Sequence, residues 1–256
     1  MKSSRTHSTS AMIRTTQRKI LRKALITSVS LLLAVSCAPD SVPKGTIRLH
    51  FQATVGGEPL IFDRFLYPNP GGEGRYKIRS FLFYMSNVKL IGESDSHIES
   101  DSYHLARFDN ANNTFTLELT DVPRQKYDRL EFAIGVDETA NSSIESVGDL
   151  DPNSRMAWSW DVGYKFVLFE GGLDVGEAVL PLVYHVGFDE SYTPVAFELS
   201  PFQEEASVNS IHFTVDIRRL FSGTSRIDMA SLSTVKFDRQ DARAIAGNLP
   251  RMISLK

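Results

Sequence analysis

Apolar and polar residues alternate through much of the chain beyond residue 45. In TIRLHFQATV, residues 46–55, every second side chain is apolar, which is the period of a strand with one buried face. The same alternation recurs in TFTLEL (114–119), RLEFAIGVDE (129–138), PVAFEL (194–199) and NSIHFTVDI (209–217). Turn-forming Gly, Pro, Asn and Asp separate these segments, and no βαβ rhythm occurs. The pattern predicts an all-β fold, a single antiparallel β-sandwich.

A helical pattern is clear only near the C-terminus, in DRQDARAIAGNLP (238–250). Either Asp238 or Asp241 is a candidate N-cap, and Gly247 follows the last apolar residue as a helix end. The sequence therefore predicts one short C-terminal helix attached to the sandwich. No internal repeat or low-complexity linker interrupts residues 45–256, so a single domain is expected over that range.

The N-terminal segment has the composition of an export signal. The first 23 residues include seven Lys and Arg and no acidic residue, and the apolar run ALITSVSLLLAV (24–35) follows. This run is too short to span a membrane and is typical of a secretory signal peptide. It ends in AVSCAPD, where small residues precede Cys37 as in a bacterial lipoprotein box. Met12 is an alternative start that gives a signal of more ordinary length.

These features predict how the N-terminal segment is divided. Residues 1–36 are expected to be a lipoprotein-type signal peptide, and residues 37–44 a lipidated Cys37 followed by a linker. The protein would then be exported and held by an N-terminal lipid anchor in the bacterial cell envelope, at the outer membrane or on the periplasmic face. Simple cleavage without lipidation is the alternative.

Charge and cysteine content narrow the possible partners. Seven of the 28 Lys and Arg residues lie before residue 37, so 21 remain against 31 acidic residues, a net charge of about −10. Such a charge argues against nucleic acid as a partner. Because Cys37 is the only cysteine, its lipidation would leave no thiol for disulfides, metal binding or catalysis.

The histidines are the residues most able to bind a metal. Beyond the signal they are His50, His97, His104, His185 and His212, none at the spacing of a local metal motif. His50 and His212 fall on the polar faces of their strands, where strand pairing could bring them together or leave them as two separate surface residues. His185, in LVYHVGF, has apolar neighbours on both faces, so it is either a hydrogen-bonded core residue or a ligand.

Nothing in the residues alone indicates an enzyme. The acidic segment GVDETANSSIESVGDLDP (135–152) offers carboxylates that calcium could use, but its spacing is not that of an EF-hand loop, and solvation is the simpler interpretation. No nucleophile motif or phosphate-binding glycine loop is present. The many carboxylates single out no pair for hydrolysis of an envelope polysaccharide.

Both tryptophans occur in RMAWSWDVGYKF (155–166). If this stretch is one extended strand, Trp158 and Trp160 face the same side of the sheet. Tyr164 and Phe166 have the same parity, which predicts a continuous buried aromatic row. The pair is then a packing feature of the core, or, if it lies at a rim beside His185, a place where chemistry on an indole could occur.

The order of several motifs resembles the MbnP family. The motifs are LHFQATVGGEPLIFD, YKIRSFLFYMSNVKLIG, the stretch from RLEFAIGVDETANSS through GDLDP to MAWSWDVGYKFVLFEG, then YHVGF, HFTVDIRRLFSG and ARAIAGNLP. This family consists of secreted or surface β-sandwich proteins of the methanobactin-associated, copper-binding type. The resemblance covers nearly all of the chain after the signal.

The resemblance implies a copper site and an oxidising partner. In copper-binding members a tryptophan becomes kynurenine through a di-haem peroxidase-like protein, and this residue with histidines holds one copper ion. Trp158 or Trp160 is the corresponding candidate here. Members often carry histidine just after the phenylalanine of the first strand, where this chain has QAT (52–54). His185 is then the best-matching ligand, with His50 and His212 as further candidates.

Two functions follow from these observations. The first is a non-catalytic envelope lipoprotein that binds copper through histidine and an oxidised tryptophan. The second is a metal-free structural or interaction lipoprotein on the same fold, in which the two tryptophans only pack.

Overall fold

Strands dominate the computed structural model, which describes residues 42–93, 95–143, 145–159, 161–202 and 208–256. The signal segment, Cys37 and Trp160 lie outside the described residues. In chain order the strands are β1 (Lys44–Val55), β2 (Glu58–Pro59), β3 (Tyr67–Pro68), β4 (Arg75–Gly92), β5 (Ser96–Ile98), β6 (Tyr103–Arg107), β7 (Thr114–Pro123), β8 (Tyr127–Ile134), β9 (Ala157–Ser159), β10 (Gly163–Asp174), β11 (Val179–Gly187), β12 (Thr193–Phe202), β13 (Val208–Asp216), β14 (Thr234–Val235) and β15 (Ile253–Leu255).

Helical structure is short. The α-helices are α1 (Glu138–Asn141) and α2 (Arg239–Ala246), and 3₁₀ helices span Asp189–Ser191, Ile217–Leu220 and Leu249–Arg251. The side chain of Asp238 accepts a hydrogen bond from the backbone N–H of Asp241 at 2.9 Å, and Gly247 follows the last helical residue. The predicted helix is therefore confirmed, with Asp238 rather than Asp241 as its N-cap. No helix among the described residues is long and apolar enough to cross a membrane.

The strands form two sheets. The smaller contains β1, β2, β7, β13 and β15, with β1 between β13 and β7. The larger has the order β12-β8-β4-β10-β11-β14; in addition, β3, β5 and β6 pair with β4, and β9 pairs with β10. Most neighbours are antiparallel, as predicted, but β1 pairs with β13 and β11 with β14 in parallel. The predicted all-β sandwich is confirmed.

The main core lies between the sheets. On β1 the inward residues Ile47, Leu49, Phe51, Ala53 and Val55 are almost fully buried, because alternate side chains of a strand point to opposite faces. Phe51 stacks on Phe213 of β13 with ring centroids 4.9 Å apart, and both make edge contacts with Phe132 of β8. These rings join the two sheets and leave the polar residues of β1 and β13 on the outer face.

A second, smaller core covers part of the outer face of the ten-stranded sheet. Its fully buried members include Tyr84, Tyr164, Phe166 and Leu168, with Met156 contributed by the segment that leads into β9. Apolar residues on both faces of β10 are thus explained, because this part of the sheet is buried on both sides.

The segment around the tryptophans is not a single strand. β9 ends at Ser159 and β10 begins at Gly163, where the backbone has a φ of +88°. The N–H of Val162 donates to the carbonyl of Ser159 at 3.2 Å and closes the turn. The predicted continuous aromatic row from Trp158 to Phe166 is therefore wrong, since the turn resets which face the following residues occupy.

Candidate functional site

His50 and His212 are brought side by side on the outer face of the five-stranded sheet. They are direct partners in the parallel register of β1 and β13, and their rings stack with centroids 4.9 Å apart and planes 20° from parallel. Nδ1 of His50 also lies 2.9 Å from the hydroxyl oxygen of Thr116 on β7. The pairing of strands that are far apart in sequence thus creates a cluster of two imidazoles and a hydroxyl.

The surroundings of His50 favour its neutral ring. Burial lowers the pKa of His50, and the neighbouring His212 and Arg48 lower it further, against a small opposing effect of Glu118. Nε of Arg48 lies 2.6 Å from the carboxylate of Glu118, which offsets much of its charge. A neutral imidazole keeps one ring nitrogen with a free lone pair, the form that binds a metal.

His185 lies on the other sheet, in a different environment. Its Nε2 is 3.1 Å from the carboxylate of Glu170, whose second oxygen is 2.9 Å from Arg155. Burial lowers the pKa of His185, and the ammonium groups of Lys165 and Lys236 add to this, although Glu170 acts in the opposite direction. His185 is therefore a largely buried, hydrogen-bonded residue with several cations nearby.

The two histidine locations face away from each other. His50 lies between Leu49 and Phe51, and His185 lies between Tyr184 and Val186, all four of which belong to the main core. Since the core separates the sheets, each histidine points outward from its own sheet. His185 and the His50–His212 pair therefore cannot bind the same ion.

Trp158 lies at the rim of the ten-stranded sheet, half-buried. Its ring is 5.0 Å from that of Phe188 and 5.4 Å from that of Phe237, which is 62% exposed. The indole also covers Gly187, since a Cβ built there would lie 2.6 Å from Cζ3 of the ring. Among the described residues its buried Nε1 has no hydrogen-bond partner.

The position of Trp158 also bears on His185. Gly187 is two residues beyond His185 on β11, so both have the same parity, and the indole sits over the strand face from which His185 projects. Trp158 also packs against the main core, so it has features of both alternatives that the sequence left open, packing in the core and a place beside His185. Trp160 lies outside the described residues.

Two carboxylates of the acidic segment, those of Asp137 and Asp149, accept hydrogen bonds from other parts of the fold. Asp137 accepts hydrogen bonds from the hydroxyl of Tyr103 at 2.6 Å and from the N–H of Ala140 at 3.2 Å. Asp149 accepts from the N–H of Leu105 at 2.8 Å. Within the described ranges, no group of three or more His, Cys, Asp or Glu residues is arranged to hold a metal ion.

Thr116 and Glu170 are the contacts that sequence reasoning missed. Each of them contacts its histidine from a neighbouring strand of the same sheet, so the contact depends on how the strands pair. Thr116 is on the polar face of β7, so alternation could have marked it as a surface residue but not as a neighbour of His50. Glu170 and His185 meet across β10 and β11, two strands of one hairpin.

The fold is a β-sandwich whose sheets carry histidine side chains on their outer faces. Comparisons with known proteins identify the family. The model of the MbnP family matches residues 44–237, and the chain belongs to this family. No curated protein gives a significant match.

A solved structure supports the same fold. The structure of MbnP from Methylosinus trichosporium is similar to this chain with a TM-score of 0.51 and 18% sequence identity, over 71% of this chain and 78% of that one. At this level of identity the similarity concerns the arrangement of strands.

Proposed function

We propose that this protein is a non-catalytic MbnP-family lipoprotein of the cell envelope that binds one copper ion through His50 and His212. The observation that carries the proposal is the contact of these two imidazoles on neighbouring strands. Imidazole nitrogens are favourable copper ligands, and a site with few ligands suits Cu(I). Bound copper would supply a one-electron redox centre at the protein surface.

The donor groups fit copper after a side-chain rotation. The nitrogen lone pairs lie in the ring planes, and stacking holds these planes nearly parallel, so the lone pairs do not converge and at least one ring must turn before both can bind one ion. His212 is exposed, and its side chain has room for this change. Thr116 already contacts one nitrogen of His50, and such a second contact orients the ring of a ligand.

A second arrangement would use the tryptophan region. Oxidation of Trp158 or Trp160 to kynurenine by a di-haem peroxidase-like partner would add an aniline nitrogen and a ketone as donors. At Trp158 these donors would stand near His185, whose Nε2 is held by Glu170 in the manner of an oriented ligand. The cations Arg155, Lys165 and Lys236 around His185 make this place less favourable for a metal ion than the His50–His212 pair.

A copper titration separates the two arrangements. The mature protein would be titrated with Cu(I) in competition with a chromogenic chelator, alongside His50→Gln, His212→Gln and His185→Gln. We expect one ion per wild-type chain, a loss of affinity of at least about tenfold in the first two variants because a ligand is removed, and little change in the third. His97→Gln is the matched control, since it removes an imidazole elsewhere.

Each outcome identifies a different site. If only His185→Gln weakens binding, and peptide mapping of protein from its native host shows kynurenine at Trp158 or Trp160, copper belongs to the tryptophan region. If all four variants bind copper like the wild type, the histidines do not hold it and the proposal is wrong.

A metal-free structural or interaction protein is the second candidate. The hydrogen bond of Glu170 with His185 and its ion pair with Arg155 favour this candidate, because they occupy the carboxylate and one ring nitrogen without any metal. This candidate predicts no stoichiometric copper in protein purified from its native envelope and unmodified tryptophans in the same sample.

A further inference from the structure

A cleft opens at one end of the sandwich, away from the histidines. The β1–β2 hairpin, the segment from Ile61 to Pro68 and the 3₁₀ helix that contains Arg218 enclose about 410 Å³. This volume is in the range of small-molecule sites in proteins. The cleft therefore has room for a compact organic ligand.

The wall of the cleft is largely apolar and open to solvent. Ile61 is 45% exposed and Leu66 is 38% exposed, and Val55, Pro59 and Pro68 extend the same surface. When an apolar ligand displaces water from exposed apolar side chains in a concave surface, the buried apolar area makes binding more favourable. The wall thus suits a short hydrocarbon group.

Internal hydrogen bonds hold this wall in place. The hydroxyl of Tyr67 accepts from the N–H of Ile61 at 2.7 Å and donates to the carbonyl of Pro59 at 3.0 Å. The guanidinium of Arg75 donates to the carbonyls of Phe65 and Leu66. A cleft fixed in this way loses little conformational entropy when a ligand binds.

Arg218 places an unpaired positive charge at the edge of the cleft. Its side chain runs past Gly56, close enough that a Cβ there would lie 3.1 Å from Cδ. The nearby carboxylate of Asp216 is already engaged by the N–H groups of Gly56 and Arg218, at 2.6 and 3.2 Å, and by Arg219 at 3.4 Å. Within the described part of the chain, the guanidinium of Arg218 has no acidic partner.

The charged side chains that line the cleft determine which ligand charge it favours. Arg75 and Arg218 line the cleft together with one carboxylate, Glu58. Two cations and one anion leave a single positive charge, which complements one negative charge and disfavours a dianion. A guanidinium also binds a carboxylate through two parallel hydrogen bonds.

We propose that this cleft binds a small apolar monocarboxylate, with its tail against Ile61 and Leu66 and its carboxylate at Arg218. Two kinds of ligand have an apolar group beside one carboxylate: a free short-chain fatty acid, and a peptide that ends in an apolar residue. None of His50, His212 and His185 lines this cleft, so the proposal does not rest on the copper site.

The test uses octanoate as a probe of the full mature protein, followed by amide NMR shifts. Octanoate should bind saturably and shift the amides of Gly56 and Gly57, and 1-octanol, which lacks the charge, should bind at least about tenfold more weakly. Arg218→Gln should weaken octanoate binding by a similar factor and leave 1-octanol unaffected. Arg218→Lys should retain part of the affinity, and Arg64→Gln, an exposed arginine outside the lining, is the matched control.

A second pair of probes distinguishes the two sources. Acetyl-Gly-Leu with a free carboxylate is compared with its C-terminal amide; tighter binding of the acid than of octanoate identifies a peptide terminus as the natural ligand. Tighter binding of octanoate identifies a fatty acid. The proposal is overturned if octanoate shows no saturable shifts near Gly56, or if Arg218→Gln, folded with a wild-type thermal midpoint, binds it as well as Arg64→Gln does.

Discussion

At the scale of single residues, Gly187 shows how closely Trp158 is packed. A Cβ at this position would lie 2.6 Å both from the indole and from the carbonyl oxygen of Tyr164. The carbonyl belongs to the sheet backbone and cannot move far, so the strand as well as the ring would have to shift. Glycine is required here because the indole lies directly on the backbone.

We therefore expect Gly187→Ala to lower the free energy of unfolding by about 1–3 kcal/mol, the usual cost of overpacking. Urea denaturation would measure this loss. In a Trp160→Phe background, the fluorescence of Trp158 should also shift to the red, because the displaced indole becomes more exposed. Gly176→Ala is a useful comparison, since space around that residue is open although its φ is +95°. Unchanged stability and fluorescence in Gly187→Ala would contradict the packing described for Trp158.

The histidines show what residue patterns can and cannot predict. Alternation correctly assigns His50 and His212 to polar strand faces, because side-chain direction depends only on local geometry. Their contact requires the parallel pairing of β1 with β13, which are separated by most of the domain. The residues on either side of His185, Tyr184 and Val186, belong to the main core, and no local pattern identifies Glu170 as the partner of His185.

At the scale of elements, the helix α2 depends on its N-cap, Asp238. The side chain of Asp238 satisfies the backbone N–H of Asp241, one of the donors left free at a helix start. Ala242, Ile245 and Ala246 bury one side of the helix against the core. Because the helix has only 8 residues, the cap is a large part of its local stability.

Asp238→Ala should lower the free energy of unfolding by about 1 kcal/mol, since it leaves that N–H without its acceptor. Equilibrium urea unfolding provides the measurement. Asp241→Asn is the matched control, because it removes a carboxylate from the same turn and leaves the cap intact, and its effect should be smaller. Equal losses in both variants would show that charge near the helix start, rather than the cap, is responsible.

Elements whose pattern is local were predictable, and those that depend on a turn were not. All five alternating segments contain a strand, although β8 ends at Ile134, before the end of its segment, and the helix begins and ends where its capping residues indicate. The tryptophan segment was wrongly extended because Gly163, with its positive φ, ends the alternation between β9 and β10. A glycine in a strand-like pattern is ambiguous from sequence, since it fits both a turn and a bulge.

At the scale of the whole molecule, the two sheets and the main core between them determine where the candidate ligands can meet. The sandwich architecture follows from the spacing of alternating strands, and so it could be predicted. The distribution of the candidate ligands over opposite outer faces could not, because it depends on which sheet each strand joins. This distribution turns one expected set of histidine ligands into two separate places, and the copper titration has to decide between them.

The proposed lipid anchor is also a property of the whole molecule, because it fixes where the domain works. Beyond residue 36 the chain carries a net charge of about −10, and anionic lipid surfaces repel such a protein. An acyl chain contributes about 0.8 kcal/mol for each buried CH₂, and stable attachment takes more than one chain. Attachment to the membrane would therefore depend on lipidation of Cys37.

Cys37→Ser should move the protein from the membrane fraction to the aqueous fraction. The check is detergent phase partitioning of cell envelopes, combined with the intact mass of the purified protein, which would show the acyl groups in the wild type and none in the variant. Ser41→Ala, a change of similar size in the adjoining linker, should leave the protein in the membrane fraction. If the intact mass shows that Cys37→Ser has lost its signal segment and the variant still remains with the membrane to the same extent, then a surface of the folded domain holds it there, and the acidic sandwich must carry a binding face for the envelope that the lipid anchor would otherwise conceal.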